Sequence, residues 1–311
     1  MRYTLHVTPR KLIVVVGPTA VGKSDLAVTL AKMFNGEVIS ADSRQVYRGM
    51  DIGSGKVTRR ERKGIPHQLL DVADPRRTFT VTRYRTLATR ALRDAWRRGR
   101  LPILCGGTGF YIQALVDGTV IPEVKPNRPL RRRLERETSD ELYERLQRLD
   151  RERAKAIDRK NPRRLVRAIE IAHALGRVPP KAAHPLAADT LWIGVRREPE
   201  ELKKLIRARL VRRLRRGMVA EIKRLRRPPT GGGVSWSRLE NFGLEYRWIA
   251  RFLQRKVTRT EMLETLTRDI YRYAKRQMTW FKPNPRIHWI KKTAEAVRLA
   301  GAFVRDAEKG R

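Results

Sequence analysis

Short apolar runs alternate with longer segments of helical periodicity along most of the chain. The run at 12–16 is continuous, as is that at 101–105, and such runs are typical of strands buried on both faces of a parallel sheet. Residues 80–98 instead repeat apolar positions at helical spacing. Strands alternating with helices form βαβ units, so the pattern predicts an α/β fold with a parallel sheet flanked by helices.

The same pattern gives approximate bounds for the elements. The predicted strands are 12–16, 37–40, 101–105, 190–195 and 287–290, and another strand is expected to begin within 65–71. After the helix at 80–98 and a helix ending at Val116, further helices are predicted at 199–216, 218–226, 241–254, 259–280 and 293–308.

The middle of the chain departs from this alternation. Prolines at 122, 126 and 129 mark a linker, and 130–176 is helical and strongly basic, without a strand signal. Asn161-Pro162 opens one of its helices with proline at the first turn. We therefore expect an α/β core from 1–121 and 188–311, interrupted by an all-helical insertion at 122–187 that is a candidate clamp on nucleic acid.

A glycine loop connects the first predicted strand to the first helix. It fits the phosphate-loop pattern G-x-x-x-x-G-K-[ST], and the strand before it and the helix after it are the flanks that the motif requires. Backbone N–H groups and a helix N-terminus bind phosphate there, the lysine adds a charge, and the serine can ligate Mg²⁺. The motif consists of Gly17, Pro18, Thr19, Ala20, Val21, Gly22, Lys23 and Ser24. It predicts binding of a di- or triphosphate and a P-loop NTPase-like sheet.

Two other predicted strands end in candidate site residues, because ligands of open α/β sheets bind at the carboxyl ends of strands. Asp42 follows 37–40 and is a candidate base or magnesium partner, although an aspartate there could simply cap a helix. Thr108 follows Gly106-Gly107, where kinases and ATPases usually place a magnesium-binding acid. The absence of that acid argues against an ordinary ATPase.

Charge adds a second indication of function. The chain has 71 Lys and Arg against 32 Asp and Glu, a formal net charge of +39. Such an excess favours a polyanionic partner, most simply nucleic acid, although a general bias of the lineage toward arginine would give the same count.

Composition also limits where the protein acts. Cys105 is the single cysteine, so neither an internal disulfide nor a cysteine-rich metal site can form. No run approaches the length of a membrane span, and residues 1–11 lack the apolar core of a signal peptide. We expect a cytoplasmic protein that acts as a monomer and without a membrane.

Taken together, these segments resemble the tRNA dimethylallyltransferases, also called tRNA isopentenyltransferases. The phosphate loop is generic, whereas the combination of Asp42-Ser43-Arg44-Gln45-Val46-Tyr47 with a later Ala274-Lys275-Arg276-Gln277-Met278-Thr279-Trp280 is specific to the family. The resemblance also includes Asp51-Ile52-Gly53, Pro66-His67, Asp74-Pro75, the glycine-rich turn at 106–111, the basic segment at 164–168, and the flanking Tyr273 and Phe281. The resemblance extends nearly from end to end and is of the bacterial type, without a zinc-finger extension.

This resemblance implies transfer of a dimethylallyl group from dimethylallyl diphosphate to the exocyclic amine of the adenosine 3′ of the anticodon, in tRNAs reading codons that begin with U. Asp42 would be the base, and Thr108 would position the adenine or the diphosphate. Arg209, the phosphate loop and Mg²⁺ on Ser24 would bind the diphosphate. The implied contacts with tRNA, whose anticodon stem-loop the insertion would grip, are Ser43, Arg44, Gln45, Arg164 and Arg167.

Three places depart from the family pattern, and one is Asn241-Phe242-Gly243-Leu244-Glu245-Tyr246, where the usual pattern ends in Gly-Tyr. Arg163 stands where glutamine is common, beside the tRNA-contacting Arg164. A second arginine is common near Leu205, and here Lys204 or Arg207 would have to replace it.

Other functions fit parts of the sequence. A phosphate-loop kinase would place ATP in the loop and use Asp42 to activate a small acceptor. A related transferase acting on free AMP would not need the basic insertion, and a non-catalytic RNA-binding protein would not need both the loop and Asp42.

Overall fold

A computed structural model describes residues 10–180, 182–227 and 232–305. The described residues up to Asp117 and from Pro185 onward form one compact unit, here called the core unit. Gly118–His184 forms a second, here called the insert unit. Most of the segment considered for a signal peptide, 1–9, lies outside the described residues, as do 306–308 of the last predicted helix.

The core unit is built on a six-stranded sheet. Its strands are β1 (Lys11–Val16), β2 (Gly36–Ser40), β3 (His67–Gln68), β4 (Leu101–Cys105), β5 (Asp189–Val195) and β6 (Ile287–Ile290). Their order is β3-β2-β4-β1-β5-β6, and every neighbouring pair is parallel. The predicted parallel α/β fold is therefore confirmed.

Helices separate the strands in sequence. Within the described residues they are α1 (Lys23–Met33), α2 (Arg59–Arg62), α3 (Val81–Arg97), α4 (Gly109–Val116), α5 (Arg128–Leu134), α6 (Ser139–Leu149), α7 (Arg151–Lys155), α8 (Pro162–Leu175), α9 (Pro199–Arg215), α10 (Met218–Arg226), α11 (Trp236–Phe242), α12 (Leu244–Leu253), α13 (Arg259–Phe281) and α14 (Thr293–Arg305). None of them is both long and apolar enough to cross a membrane.

The sheet order brings three loops to one edge. β1 pairs with β4 on one side and with β5 on the other, and β4 also pairs with β2. Because parallel strands point the same way, the segments that follow β1, β2 and β4 emerge side by side at the carboxyl edge. The phosphate loop, Asp42 and the Gly106-Gly107 turn therefore lie at neighbouring positions.

Burial explains why the central strands are so apolar. Leu12 to Val16 of β1 are fully buried, as are Ile103 and Leu104 of β4. A strand covered by helices on both faces has no solvent side, so it shows no alternation of polar and apolar residues.

One predicted helix is wrong in its extent. The interval 241–254 was expected to be a single helix, but α11 ends at Phe242 and α12 begins at Leu244. Gly243 separates them with φ 77° and ψ −176°, a conformation that only glycine adopts readily. The strand expected within 65–71 is also short, since only His67 and Gln68 pair with β2.

The insert unit has its own small core. Leu134 of α5, Leu142 and Leu146 of α6 and Leu165 of α8 are buried in one cluster. Asn161 caps α8, its side chain accepting a hydrogen bond from the N–H of Arg164, with Pro162 in the first turn as expected.

Candidate active site

The phosphate loop joins β1 to α1 in a conformation that depends on its glycines. Gly17 has φ 137°, and a Cβ there would lie 2.3 Å from the carbonyl oxygen of Val195. Gly22 has φ 89° and directly precedes the first residue of α1, Lys23. Both positions require glycine, so the loop backbone turns as close anion contact demands.

Lys23 projects into the loop. Its Nζ donates a 2.5 Å hydrogen bond to the carbonyl oxygen of Pro18. Loss of hydration lowers the pKa of this ammonium to about 8, with Arg209 lowering it further, while Cys105 and Asp42 oppose the shift. A dianionic ligand in the loop would restore the ordinary preference for the charged form.

Asp42 lies immediately beyond β2. Its Oδ1 accepts hydrogen bonds from the N–H groups of Arg44, at 2.8 Å, and Gln45, at 3.3 Å. The carboxylate thus caps a turn rather than a helix. No hydrogen bond to its second oxygen, Oδ2, occurs among the described residues, so the cap leaves that oxygen able to accept a proton.

Thr108 ties the glycine-rich turn after β4 to the turn that carries Asp42. Its Oγ1 accepts a 3.0 Å hydrogen bond from the N–H of Ser43, and its own N–H donates to the carbonyl oxygen of Ala41 at 3.1 Å. These contacts orient the residues on either side of Asp42. A direct contact between Thr108 and substrate stays a prediction.

Arg209 reaches the phosphate loop from α9. Its Nη1 donates a 2.9 Å hydrogen bond to Oγ1 of Thr19. Loss of hydration, and then the neighbouring Arg213, lower the pKa of its guanidinium to about 10. The guanidinium stays charged at neutral pH, and it lies beside the loop in which an anion would bind.

A cavity of about 370 Å³ opens between these elements. Six Lys and Arg and four Asp and Glu line it, so its charge is positive. Eight of the predicted site residues line the cavity. They are Thr19, Ala20, Gly22, Lys23, Ser24, Asp42, Gln45 and Arg209. The predicted residues Gly17, Pro18, Val21, Ser43, Arg44 and Thr108 do not line it.

Gln277 joins the two glycine-rich loops, a role that the sequence did not indicate. Its Oε1 accepts from the N–H of Thr19 at 2.8 Å, and its Nε2 donates to the carbonyl oxygen of Gly107 at 2.9 Å. A Cβ on Gly107 would lie 2.1 Å from that Nε2. Gln277 is buried, and its place within the family-like segment 273–281 was the one available signal.

Glu221 is a second residue that holds a loop of the site and that the sequence did not indicate. Its Oε2 accepts from the N–H groups of Asp51 and Ile52, at 2.9 and 2.6 Å, and its Oε1 accepts from that of Gly53 at 3.0 Å. The hydroxyl of Tyr246 donates to Oε1 as well, at 3.0 Å. This buried carboxylate fixes the loop that forms one side of the cavity.

The three residues near the cavity that are predicted to contact tRNA already have hydrogen-bond partners within the protein. Arg44 Nε donates to the carbonyl oxygen of Phe242 at 2.8 Å, and its guanidinium lies 5.7 Å from the centroid of that ring. Gln45 Nε2 lies 3.4 Å from the carbonyl oxygen of Gly55. The backbone N–H of Ser43 is taken by Thr108.

The two predicted contacts in the insert unit differ. Arg164 is exposed on α8. Arg167 is half-buried, and its Nη2 donates to the carbonyl oxygen of Val124 at 2.9 Å while its Nη1 lies 3.4 Å from Oε2 of the buried Glu170. Arg167 therefore holds the insert unit together, and Arg164 presents its charge outward.

Comparison with known proteins identifies the family of the chain. A family model described as "IPP transferase" matches residues 45–284, and one described as "Isopentenyl transferase" matches 10–75. The chain is 37% identical over 291 residues to the tRNA dimethylallyltransferase of Anoxybacillus flavithermus, covering 92% of each chain. It is 41% identical over 290 residues to tRNA dimethylallyltransferase 1 of Syntrophus aciditrophicus, covering 90% of this chain and 93% of that protein.

Solved structures give the same result. The tRNA isopentenylpyrophosphate transferase of Bacillus halodurans matches with a TM-score of 0.71 and 34% identity, over 96% of this chain and 98% of that one. A eukaryotic dimethylallyltransferase acting on tRNA matches with a TM-score of 0.80 and 28% identity, over 96% and 80%. With a family model matched over most of its length and relatives matched nearly end to end, the chain belongs to the tRNA dimethylallyltransferase family.

Proposed function

We propose that the protein transfers a dimethylallyl group from dimethylallyl diphosphate to the exocyclic amine of the adenosine 3′ of the anticodon, in tRNAs that read codons beginning with U. One observation carries the proposal: the Asp42 carboxylate and the phosphate loop with Lys23 line the same cavity. A carboxylate suits removal of a proton from the amine, and the loop suits a diphosphate leaving group.

In the proposed reaction, a bond forms between the adenine amine nitrogen and the allylic carbon as the C–O bond to diphosphate breaks. The electron pair of the C–O bond leaves with the diphosphate, and the amine proton passes to Oδ2 of Asp42. An adenine amine is a weak nucleophile because its lone pair is delocalised into the ring, so proton removal must accompany attack. Hydrogen bonds from Arg44 and Gln45 to Oδ1 hold the carboxylate in place.

The leaving diphosphate gains negative charge as the bond breaks. Lys23, the loop N–H groups and Arg209 would stabilise that charge in a partly dehydrated site, where electrostatic interactions are stronger than in water. The hydrogen bond from Arg209 to Thr19 places the guanidinium beside the loop before substrate binds. Less reorganisation is then needed at the moment of reaction.

Ser24 would hold Mg²⁺ together with diphosphate oxygens. Within residues 10–180, 182–227 and 232–305, no group of three or more His, Cys, Asp or Glu could hold a metal by itself. Mg²⁺ commonly keeps several waters and binds through one or two protein groups plus substrate phosphates, which fits a serine hydroxyl bordering the cavity. Bound there, Mg²⁺ would offset the negative charge that develops on the leaving diphosphate.

The acceptor adenosine must leave its stack to reach a carbon inside the cavity. The charge of +39 supports a folded RNA as the acceptor, and the helical insert unit, with the exposed Arg164, would bind the anticodon stem-loop through shape and phosphates. With tRNA as the substrate, we expect the enzyme to act in the cytoplasm, and as a monomer.

A kinase is the alternative that the phosphate loop alone would allow. None of the families and relatives named above is a kinase. β4 also ends at Cys105 and is followed by Gly106-Gly107, where kinases usually place a magnesium-binding acid.

The direct test uses purified protein, Mg²⁺, labelled dimethylallyl diphosphate and unmodified bulk tRNA. We expect label in the RNA and prenylated adenosine in the nucleoside digest. A parallel reaction with ATP and small acceptors serves as the kinase assay. Absence of label in tRNA, together with ATP consumption, would contradict the proposal.

A further inference from the structure

Arg213 lies one helical turn after Arg209 on α9, so both side chains project from the same face. Its side chain is only 11% exposed. Nη1 donates a 3.1 Å hydrogen bond to Oε1 of Glu245. Nη2 is buried yet has no hydrogen-bond partner among the described residues. A buried donor without a partner is costly, so this atom is poised for an acceptor that is not part of the protein.

The unpartnered atom lies next to a second guanidinium. A Cβ built on Gly55 would lie 1.5 Å from Nη2 of Arg213 and 2.4 Å from Nη2 of Arg209. These two nitrogens are therefore no more than 3.9 Å apart, the sum of the two distances. Like charges so close repel one another, and an anion that contacts both would turn the repulsion into attraction. Because Gly55 has no side chain, both guanidinium groups fit beside it.

The two residues first considered for this role are placed differently. Lys204 and Arg207, which could have replaced the arginine that the family commonly has near Leu205, are both exposed and do not line the cavity. Arg213 does line the cavity, as Lys23 of the phosphate loop does, and it lies beside Arg209. Glu245 offsets part of its charge but accepts only from Nη1, so Nη2 is left without a hydrogen-bond partner among the described residues.

We propose that Arg213 is a second diphosphate-binding arginine, which together with Arg209 contacts the leaving group and replaces the cation missing at Leu205. The inference rests on the proposed function for the identity of the anion. A diphosphate has enough oxygens to accept from two guanidinium groups at once, and arginine is suited to such contacts because its donors form a planar fork.

The test measures binding of inorganic pyrophosphate by calorimetry in the presence of Mg²⁺, without tRNA. We expect Arg213→Gln to raise the pyrophosphate Kd by about tenfold, in keeping with loss of a charge-assisted hydrogen bond. Arg213→Lys should lose less, because it keeps the charge but not the fork. Arg207→Gln, an exposed arginine of the same helix, is the matched control and should bind as the native protein does.

The Glu245→Gln variant distinguishes direct anion binding by Arg213 from a structural effect of its ion pair with Glu245. It breaks the ion pair but keeps Arg213. Pyrophosphate binding should survive in that variant, and in steady-state assays Arg213→Gln should raise KM for dimethylallyl diphosphate while KM for tRNA is unchanged. A pyrophosphate Kd that is unchanged in Arg213→Gln, although Arg209→Gln raises it, would overturn the inference. Equal loss in Glu245→Gln and Arg213→Gln would overturn it as well.

The inference and the proposed function fail in different ways. If pyrophosphate binding depends on Arg213 but no label from dimethylallyl diphosphate enters tRNA, the anion site stands and the proposed reaction is wrong. If label enters tRNA but neither pyrophosphate binding nor KM responds to Arg213, the reaction stands and the role of Arg213 is wrong.

Discussion

Arg209 on α9 donates a 2.9 Å hydrogen bond to the hydroxyl oxygen of Thr19 in the phosphate loop, 190 residues earlier in the chain. The contact places a guanidinium where a generic phosphate loop has only its lysine and backbone N–H groups. Gln277 binds the N–H of the same Thr19, so α9 and α13 both converge on one loop residue. The catalytic behaviour of the loop should therefore depend on residues far from it in sequence.

Replacing Gln277 by leucine should weaken binding of dimethylallyl diphosphate by the phosphate loop and also lower the stability of the protein. The variant loses the hydrogen bonds to Thr19 and Gly107 and leaves the buried carbonyl of Gly107 without a partner, a cost of about 1–3 kcal/mol, while the partly buried N–H of Thr19 adds less. We expect KM for dimethylallyl diphosphate to rise by about tenfold or more, and the urea midpoint to fall. Gln147→Leu, at an exposed glutamine, should change neither quantity, and equal behaviour of the two variants would contradict this role.

The carboxylate of Glu221 should be required for stability near the cavity. In Glu221→Gln the amide nitrogen cannot accept from backbone N–H groups, so part of the set at Asp51, Ile52 and Gly53 is lost. Hydrogen bonds to a buried charged group contribute about 1.5–3 kcal/mol, and we expect a loss of that order in the free energy of unfolding. Urea denaturation measures it, with the exposed Glu264→Gln as control. An unfolding curve that matches the native one would refute the role.

Binding of the diphosphate should weaken as pH rises through about 8. The folded-state pKa of Lys23 is lowered to about 8 by loss of hydration, so above that pH the free enzyme loses the charge that attracts the anion. We expect kcat/KM for dimethylallyl diphosphate to fall above pH 8, while kcat changes less because bound diphosphate raises the pKa again. Lys23→Arg, charged throughout this range, should not show the fall. Identical pH profiles for the two proteins would contradict the assignment.

The same pKa fixes the sign of the effect of Lys23 on stability. Between about pH 8 and the ordinary lysine value of 10.5, the unfolded chain binds more protons at this position than the folded one. The contribution of Lys23 to the free energy of unfolding therefore increases with pH in this window and is constant below it.

Arg164 and Arg167 should give different defects. Arg164 is exposed, so Arg164→Gln should weaken tRNA binding and lower the slope of log K against log salt by about one, without changing thermal stability. Arg167 contacts Glu170 and Val124, so Arg167→Gln should lower the stability of the insert unit. Filter binding at several salt concentrations, with the exposed Arg298→Gln as control, measures the first effect. An unchanged slope in Arg164→Gln would remove that residue from the interface.

Much of the sheet was predictable because its central strands are buried on both faces. β1 and β4 consist of continuous apolar runs, which mark strands whatever their neighbours are. Their order was not predictable, because pairing of β4 between β1 and β2 depends on contacts that no local pattern records. The break at Gly243 was missed for a local reason, since a single glycine is tolerated in many helices and only its observed φ of 77° identifies the interruption.

The site was predictable where a motif carries it and not where a distant contact does. Lys23 and Asp42 follow strands at positions where ligands bind, so their proximity could be expected. Gln277 and Glu221 contact loops that are remote in sequence, and Arg213 lies beside Gly55 of such a loop. In a chain with 71 Lys and Arg, nothing in the sequence distinguishes Arg213 from its exposed neighbours.

The most direct test of the account is a single-turnover assay of Asp42→Asn with saturating tRNA and labelled dimethylallyl diphosphate. Asparagine keeps an oxygen that can accept from the N–H groups of Arg44 and Gln45, but its amide cannot take up a proton. We expect prenyl transfer to fall by about 10²–10⁴-fold, the usual contribution of a general base, with tRNA and pyrophosphate binding preserved. Transfer at the native rate would show that Asp42 is not the base and would contradict the mechanism.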